Sequence, residues 1–81
     1  MAVNSGTLAL TTTAVQLGSR SIKGVTIHNN DGSINVLVGG AGTQSFTISP
    51  GGTSGRIVVA NLNQVWVKSA SGTPTVSWLS D

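Results

Sequence analysis

The stretch Val25-Thr26-Ile27-His28-Asn29, then Asn30-Asp31-Gly32-Ser33, then Ile34-Asn35-Val36-Leu37-Val38 decides the fold class. On either side of the central turn, β-branched aliphatic residues recur at every second position, the period of a strand with one buried face. Asp31-Gly32 is a favoured two-residue type I′ loop, a turn whose two central positions need positive φ. A hairpin closed by that loop sets Ile27 opposite Val36 and Val25 opposite Val38 on one face. Thr26, His28, Asn35 and Leu37 then share the other.

The same pattern extends along the chain. Strands are expected at Thr7–Leu10, Ala14–Leu17, Lys23–Asn29, Ile34–Val38, Ser45–Ile48, Arg56–Ala60, Gln64–Lys68 and Thr75–Leu79, the first two readable as one bent segment. A second even-numbered loop at Ser71-Gly72 pairs Val67 with Val76 and Val65 with Trp78, which makes Trp78 core and turns Trp66 outward beside Lys68. Pro74 cannot donate to a ladder and belongs at a strand start, a bulge or an edge. Gly39-Gly40-Ala41-Gly42 reads as a flexible turn. The run from Ser49 to Gly55 is too long for a tight hairpin and should carry the chain between sheets, with Phe46, Ile48, Ile57 and Val59 packing inward. No window combines helical apolar spacing with a cap and a stop. The expectation is one all-β domain, a small antiparallel β-sandwich or jelly-roll-like barrel of about seven or eight short strands. Met1–Gly6, small and polar, reads as a flexible N-terminal arm that orders against a partner.

Composition narrows the function. The chain has 81 residues and no cysteine. Its core is therefore marginal, and disulfides and thiolate metal sites are excluded. Oligomerisation remains as a source of stability. Charged residues are 7% of the chain, against about 25% ordinarily, so much of the surface is expected to be covered in an assembly. The pI of 10.0 arises from four basic residues against two acidic ones, too weak a footprint for specific nucleic-acid binding. No apolar run approaches the length of a membrane helix, and Met1 to Leu17 has no basic start or apolar stretch of a secretory signal.

Little in the sequence supports catalysis. There is no Glu, Tyr or Cys, and His28 and Asp31 lie three residues apart, where Asp31 supports a turn. No hydroxyl has an evident base beside it, so neither an enzyme nor a bound cofactor or metal is expected. Protein–protein contact is the better use of the outward tryptophan, because tryptophan is enriched at interface centres. Trp66, Leu37, His28 and Lys68 are the candidate interface residues, together with Met1, Ala2, Val3 and Asn4 of the arm.

The segments Val25-Thr26-Ile27-His28-Asn29, Val36-Leu37-Val38-Gly39-Gly40, Ile48-Ser49-Pro50-Gly51-Gly52 and Val65-Trp66-Val67-Lys68-Ser69-Ala70-Ser71-Gly72-Thr73 resemble small β-rich virion proteins of tailed bacteriophages, of the head decoration or cement type. The likeness runs from Thr7 to Leu79. It implies a structural protein, made in the host cytoplasm, that forms trimers on the outer surface of the head. There it bridges major capsid proteins and stabilises the capsid against the pressure of packaged DNA. It supplies no catalytic residues. Similar sequences also occur in tail, fibre or head-knob proteins, so a module of that kind is one alternative, and a small carbohydrate- or ligand-binding β module is another.

Overall fold

In the computed structural model, which describes residues 4–81, the strands are β1 (Asn4–Ala9), β2 (Val15–Gln16), β3 (Val25–Asn29), β4 (Val36–Gly39), β5 (Phe46–Ile48), β6 (Thr53–Ile57), β7 (Trp66–Ser69) and β8 (Thr75–Ser80). A single 3-10 turn, Leu62–Gln64, precedes β7. The strands form two four-stranded sheets, ordered β1-β8-β3-β6 and β2-β7-β4-β5. Every pairing is antiparallel. The pairs β1·β8, β2·β7, β3·β6 and β4·β5 are successive rungs of one long double strand folded at the β4–β5 loop. Winding that strip around a core, with alternate rungs in opposite sheets, gives a jelly-roll sandwich.

Alternation along the strands fills the space between the sheets. Val25, Ile27 and Val76 come from the first sheet, Val36, Val38, Ile48 and Val67 from the second, and Leu10, Leu17, Leu62 and Val65 from the connections. Trp78 packs against this cluster, partly buried. Its indole lies so close over Gly6 that a β-carbon there would sit 2.8 Å from Cζ2. Trp78 therefore faces the core as its register requires.

The expected hairpins do not form. Val25, Ile27, Val36 and Val38 do point at one core, but β3 and β4 lie in different sheets, as do β7 and β8. Ile27 pairs with Trp78 and Val36 with Ser69 and Ile48. Neither Asp31 nor Gly32 has positive φ, so the turn is not type I′. Instead, Asp31 Oδ1 accepts the backbone N–H groups of Ser33 (2.8 Å) and Ile34 (2.9 Å). Its own N–H donates to Asn29 Oδ1 at 3.0 Å. These side-chain turns swing the chain out of one sheet and into the other.

The β5–β6 connection crosses between sheets as expected, but in fewer residues. Gly52 N–H donates to the Ser49 carbonyl at 2.8 Å, with Pro50 and a positive-φ Gly51 (φ 74°) between them, the signature of a type II turn. β6 consequently begins at Thr53, not at Arg56, and residues 58–60 lie outside any strand. Gly55 (φ 75°) marks a bulge where the β3–β6 register shifts. The amide of Ile27 at the bulge donates to Ser54 Oγ (3.0 Å). Asn4, Ser5 and Gly6, assigned to an arm by composition, are the first half of β1, opposite Ser80, Leu79 and Trp78. A ladder to β8 orders them without a partner protein. Met1, Ala2 and Val3 of that arm lie outside the described residues.

Two outcomes follow. Asn29→Ala removes the amide that serves the carbonyls of Ile34 and Ile48, and denaturant titration should show a loss of about 2–4 kcal/mol. The carboxyl of Asp31 is held below its ordinary 3.8 by the Ser33 and Ile34 N–H groups. A depressed folded pKa gives stability that is present above the unfolded value and lost as pH falls through the folded one. The unfolding midpoint should therefore drop on acidification below 3.8, and less steeply in Asp31→Asn.

Candidate interaction surfaces

The sequence candidates divide between two faces. Leu37 lies directly opposite Lys68, and Trp66 opposite Gly39 and Gln16. Because Val36, Val38 and Val67 point inward, Leu37, Trp66 and Lys68 share the outer face of the second sheet, each half-buried. His28 is on β3, opposite Ser77 and Thr53, on the outer face of the first sheet. The full thickness of the sandwich separates it from Trp66. Asn4 opens β1, where the Ser80 hydroxyl donates to its carbonyl. Among the described residues these candidates do not form one continuous patch.

Among the described residues, three large apolar side chains stand open instead: Val58 at 75% exposure, Phe46 at 55% and Leu79 at 54%. Alternation places Phe46 on the core face with Val38, its partner. Burial also needs something opposite, and at this edge the facing chain has left the first sheet after Ile57. The result is an open apolar cleft of about 360 Å³ between β4–β5 and β6, walled by Val38, Phe46, Ile57, Val59 and Val65. Its two polar side chains, Ser54 and Gln64, are tied into the fold through their oxygens. Ser54 Oγ accepts from Ile27 and donates to the Gly55 carbonyl, and Gln64 Oε1 accepts from Ala60 and Asn61 in a capping box. With most of its wall aliphatic or aromatic, the cleft offers chiefly dispersion and apolar burial. Leu79 was legible once Val76 and Trp78 were assigned inward, since it lies out of phase with both.

Charge is sparse and local. Arg56 Nη2 meets Asp81 Oδ2 at 3.0 Å, both side chains about half exposed, a pair worth little in water. The guanidinium lies over Gly24, where a β-carbon would come within 2.7 Å of Cζ. Among the described residues no three His, Asp or Glu side chains gather in a way that could hold a metal ion, and no helix is long and apolar enough to cross a membrane. No protein-family model matches the chain, and no curated protein is significantly similar to it.

Side chains that stay more than half exposed should matter far less for folding than buried ones. Leu79→Ser is expected to change unfolding free energy by less than about 0.5 kcal/mol, whereas Ile27→Ala should cost about 2–5 kcal/mol. Equal losses in urea titrations would contradict this division between surface and core.

Proposed function

We propose that the chain is a structural virion protein of the head decoration or cement type. It assembles as a trimer on the outer head surface and bridges major capsid proteins. The observation that carries this reading is the open display of Phe46, Val58 and Leu79 on a chain with only four basic and two acidic residues. A surface with so little charge and several large apolar side chains is suited to being covered, and little protects it against association. The jelly roll adds only analogy, since that architecture serves capsid proteins and lectins alike. The resemblance in the strand and turn segments supplies the virion context. In this role the domain contributes shape and contact area, and no step of chemistry is asked of it.

A glycan-binding module is the second reading, favoured by the half-buried Trp66 beside Lys68 on an outer face. Aromatic faces stack on sugar rings. Soluble glycans would then quench tryptophan fluorescence, and the virion reading expects no quenching.

Sedimentation of the purified protein should show a species near three times 8.1 kDa that persists on dilution. Immunogold labelling of particles from the producing host should mark the head exterior. A monomer at every concentration together with unlabelled heads would sink the proposal, and label confined to tails would move the chain to the tail or fibre alternative.

A further inference from the structure

Each sheet of the sandwich has two edges, and among the described residues three of the four carry a recognised protection against strand addition. β2 is only two residues long. β5 has three residues and is followed within two positions by Pro50. β6 is bent by the Gly55 bulge and carries the ion-paired Arg56. β1 has none of these. It is six residues long, its register with β8 is unbroken from Asn4 to Ala9, and Asn4-Ser5-Gly6-Thr7-Leu8-Ala9 contains no charge and no proline.

The geometry points to a second copy of this chain as the occupant of that edge, through antiparallel β1–β1 pairing about a two-fold axis. Parity sets the register. Leu10 N–H donates to the Pro74 carbonyl of the β8 segment at 2.8 Å, so Leu8, Gly6 and Asn4, in phase with Leu10, also turn their backbone groups towards β8. Ser5, Thr7 and Ala9 turn theirs to the open edge. These same three residues put exposed side chains on the outer face. Thr7 set against Thr7 of the second copy brings Ser5 opposite Ala9 on both sides of the axis. Every outward-facing residue then meets another, and each facing pair exchanges two main-chain hydrogen bonds.

The series Ser5, Thr7, Ala9 is small and neutral read from either end, as an isologous contact requires. Paired threonines are favourable cross-strand neighbours. The four-stranded first sheet would continue into its copy, with Gly6 and Leu8 extending the inner face. This contact goes beyond the trimer reading. A three-fold ring closes through unlike surfaces whereas β1–β1 pairing is isologous, so the two contacts are distinct. Pairing at β1 would link one assembly to the next, and linked copies strengthen a contact that is weak alone.

Thr7→Cys provides the direct test, because the chain has no cysteine of its own. Facing residues of a hydrogen-bonded pair lie about 5.5 Å apart at Cα, within the range a disulfide spans. Mild oxidation should give a covalent dimer from Thr7→Cys and much less from Ser71→Cys, an exposed turn position. Thr7→Lys opposes two like charges across the axis, and Thr7→Pro removes an outward N–H that β8 does not use. Both should keep the fold by circular dichroism and lower the sedimenting mass up to two-fold wherever the parent associates. Equal cross-linking at both cysteine positions, or a mass unchanged by both substitutions in folded protein, overturns the proposal. A trimer indifferent to Thr7 would leave the virion reading standing without the two-fold contact. A dimer that Thr7→Lys dissociates would keep the contact and remove the trimer.

Discussion

The side chain of Asn29, with no solvent exposure, sits where the chain leaves the first sheet for the second. Its Nδ2 donates to the carbonyls of Ile34 (2.8 Å) and Ile48 (3.1 Å), and its Oδ1 accepts from Asp31 N–H. Its backbone N–H donates to Gly52 and its carbonyl accepts from Gly51. One residue thus joins β3, the crossing to β4, the end of β5 and the type II turn into β6. The aliphatic core is non-directional and would tolerate many ways of stacking two sheets. The amide is directional, and removing it would leave buried polar groups without partners. The roll can bring β3 beside β6 while β4 pairs with β5 because both crossings are anchored at this point.

This explains how the sequence could reveal faces but not partners. Period-two alternation placed Val25, Ile27, Val36, Val38, Val67 and Val76 inward, and all six are buried. Alternation is silent on which strand lies alongside, and the shortest closure, a hairpin at Asp31-Gly32, was the wrong one. Asp31 and Asn29 are as capable of building an open side-chain turn as a tight loop, and the choice depends on Ile48 and Gly52, about twenty residues away. Among the described residues, only the loop at Gly39–Gly42 connects consecutive strands of one sheet. There a β-carbon on Gly39 would press on the Thr43 backbone, and Gln44 closes the loop by donating to the Gly40 carbonyl at 2.6 Å. Gly55 misled for a related reason. In a sequence it reads as loop, whereas here it is a bulge inside β6.

For the surface candidates, direction was legible in the sequence and grouping was not. Outward direction was correct for Trp66, Leu37, Lys68 and His28, because it follows from phase. Their grouping depends on the sheet to which each strand belongs, and crossing strands sent His28 to the far side. Phe46 shows the converse. Its phase is inward, yet its exposure is set by where β6 stops, a property of the facing chain that no local pattern around Phe46 contains.

A jelly roll of this size has few ways to gain stability within one chain. Backbone drawn close at Gly6 and Gly39 substitutes for side-chain volume, and the inner faces are almost wholly Val, Ile and Leu. Any partner that binds only the folded form adds stability by mass action, so covering the open apolar groups would strengthen the fold as well as the contact. The geometry of that covering matters. β1 and β6 are opposite edges of the first sheet, and the Phe46 cleft opens at the β6 end. Attachments on a single face would make the domain a cap with its other surfaces left to solvent. Attachments at opposite edges would instead transmit load through the continuous ladder β1-β8-β3-β6, whose hydrogen bonds run across the sheet from one edge to the other. That is the mechanical property a bridging protein needs.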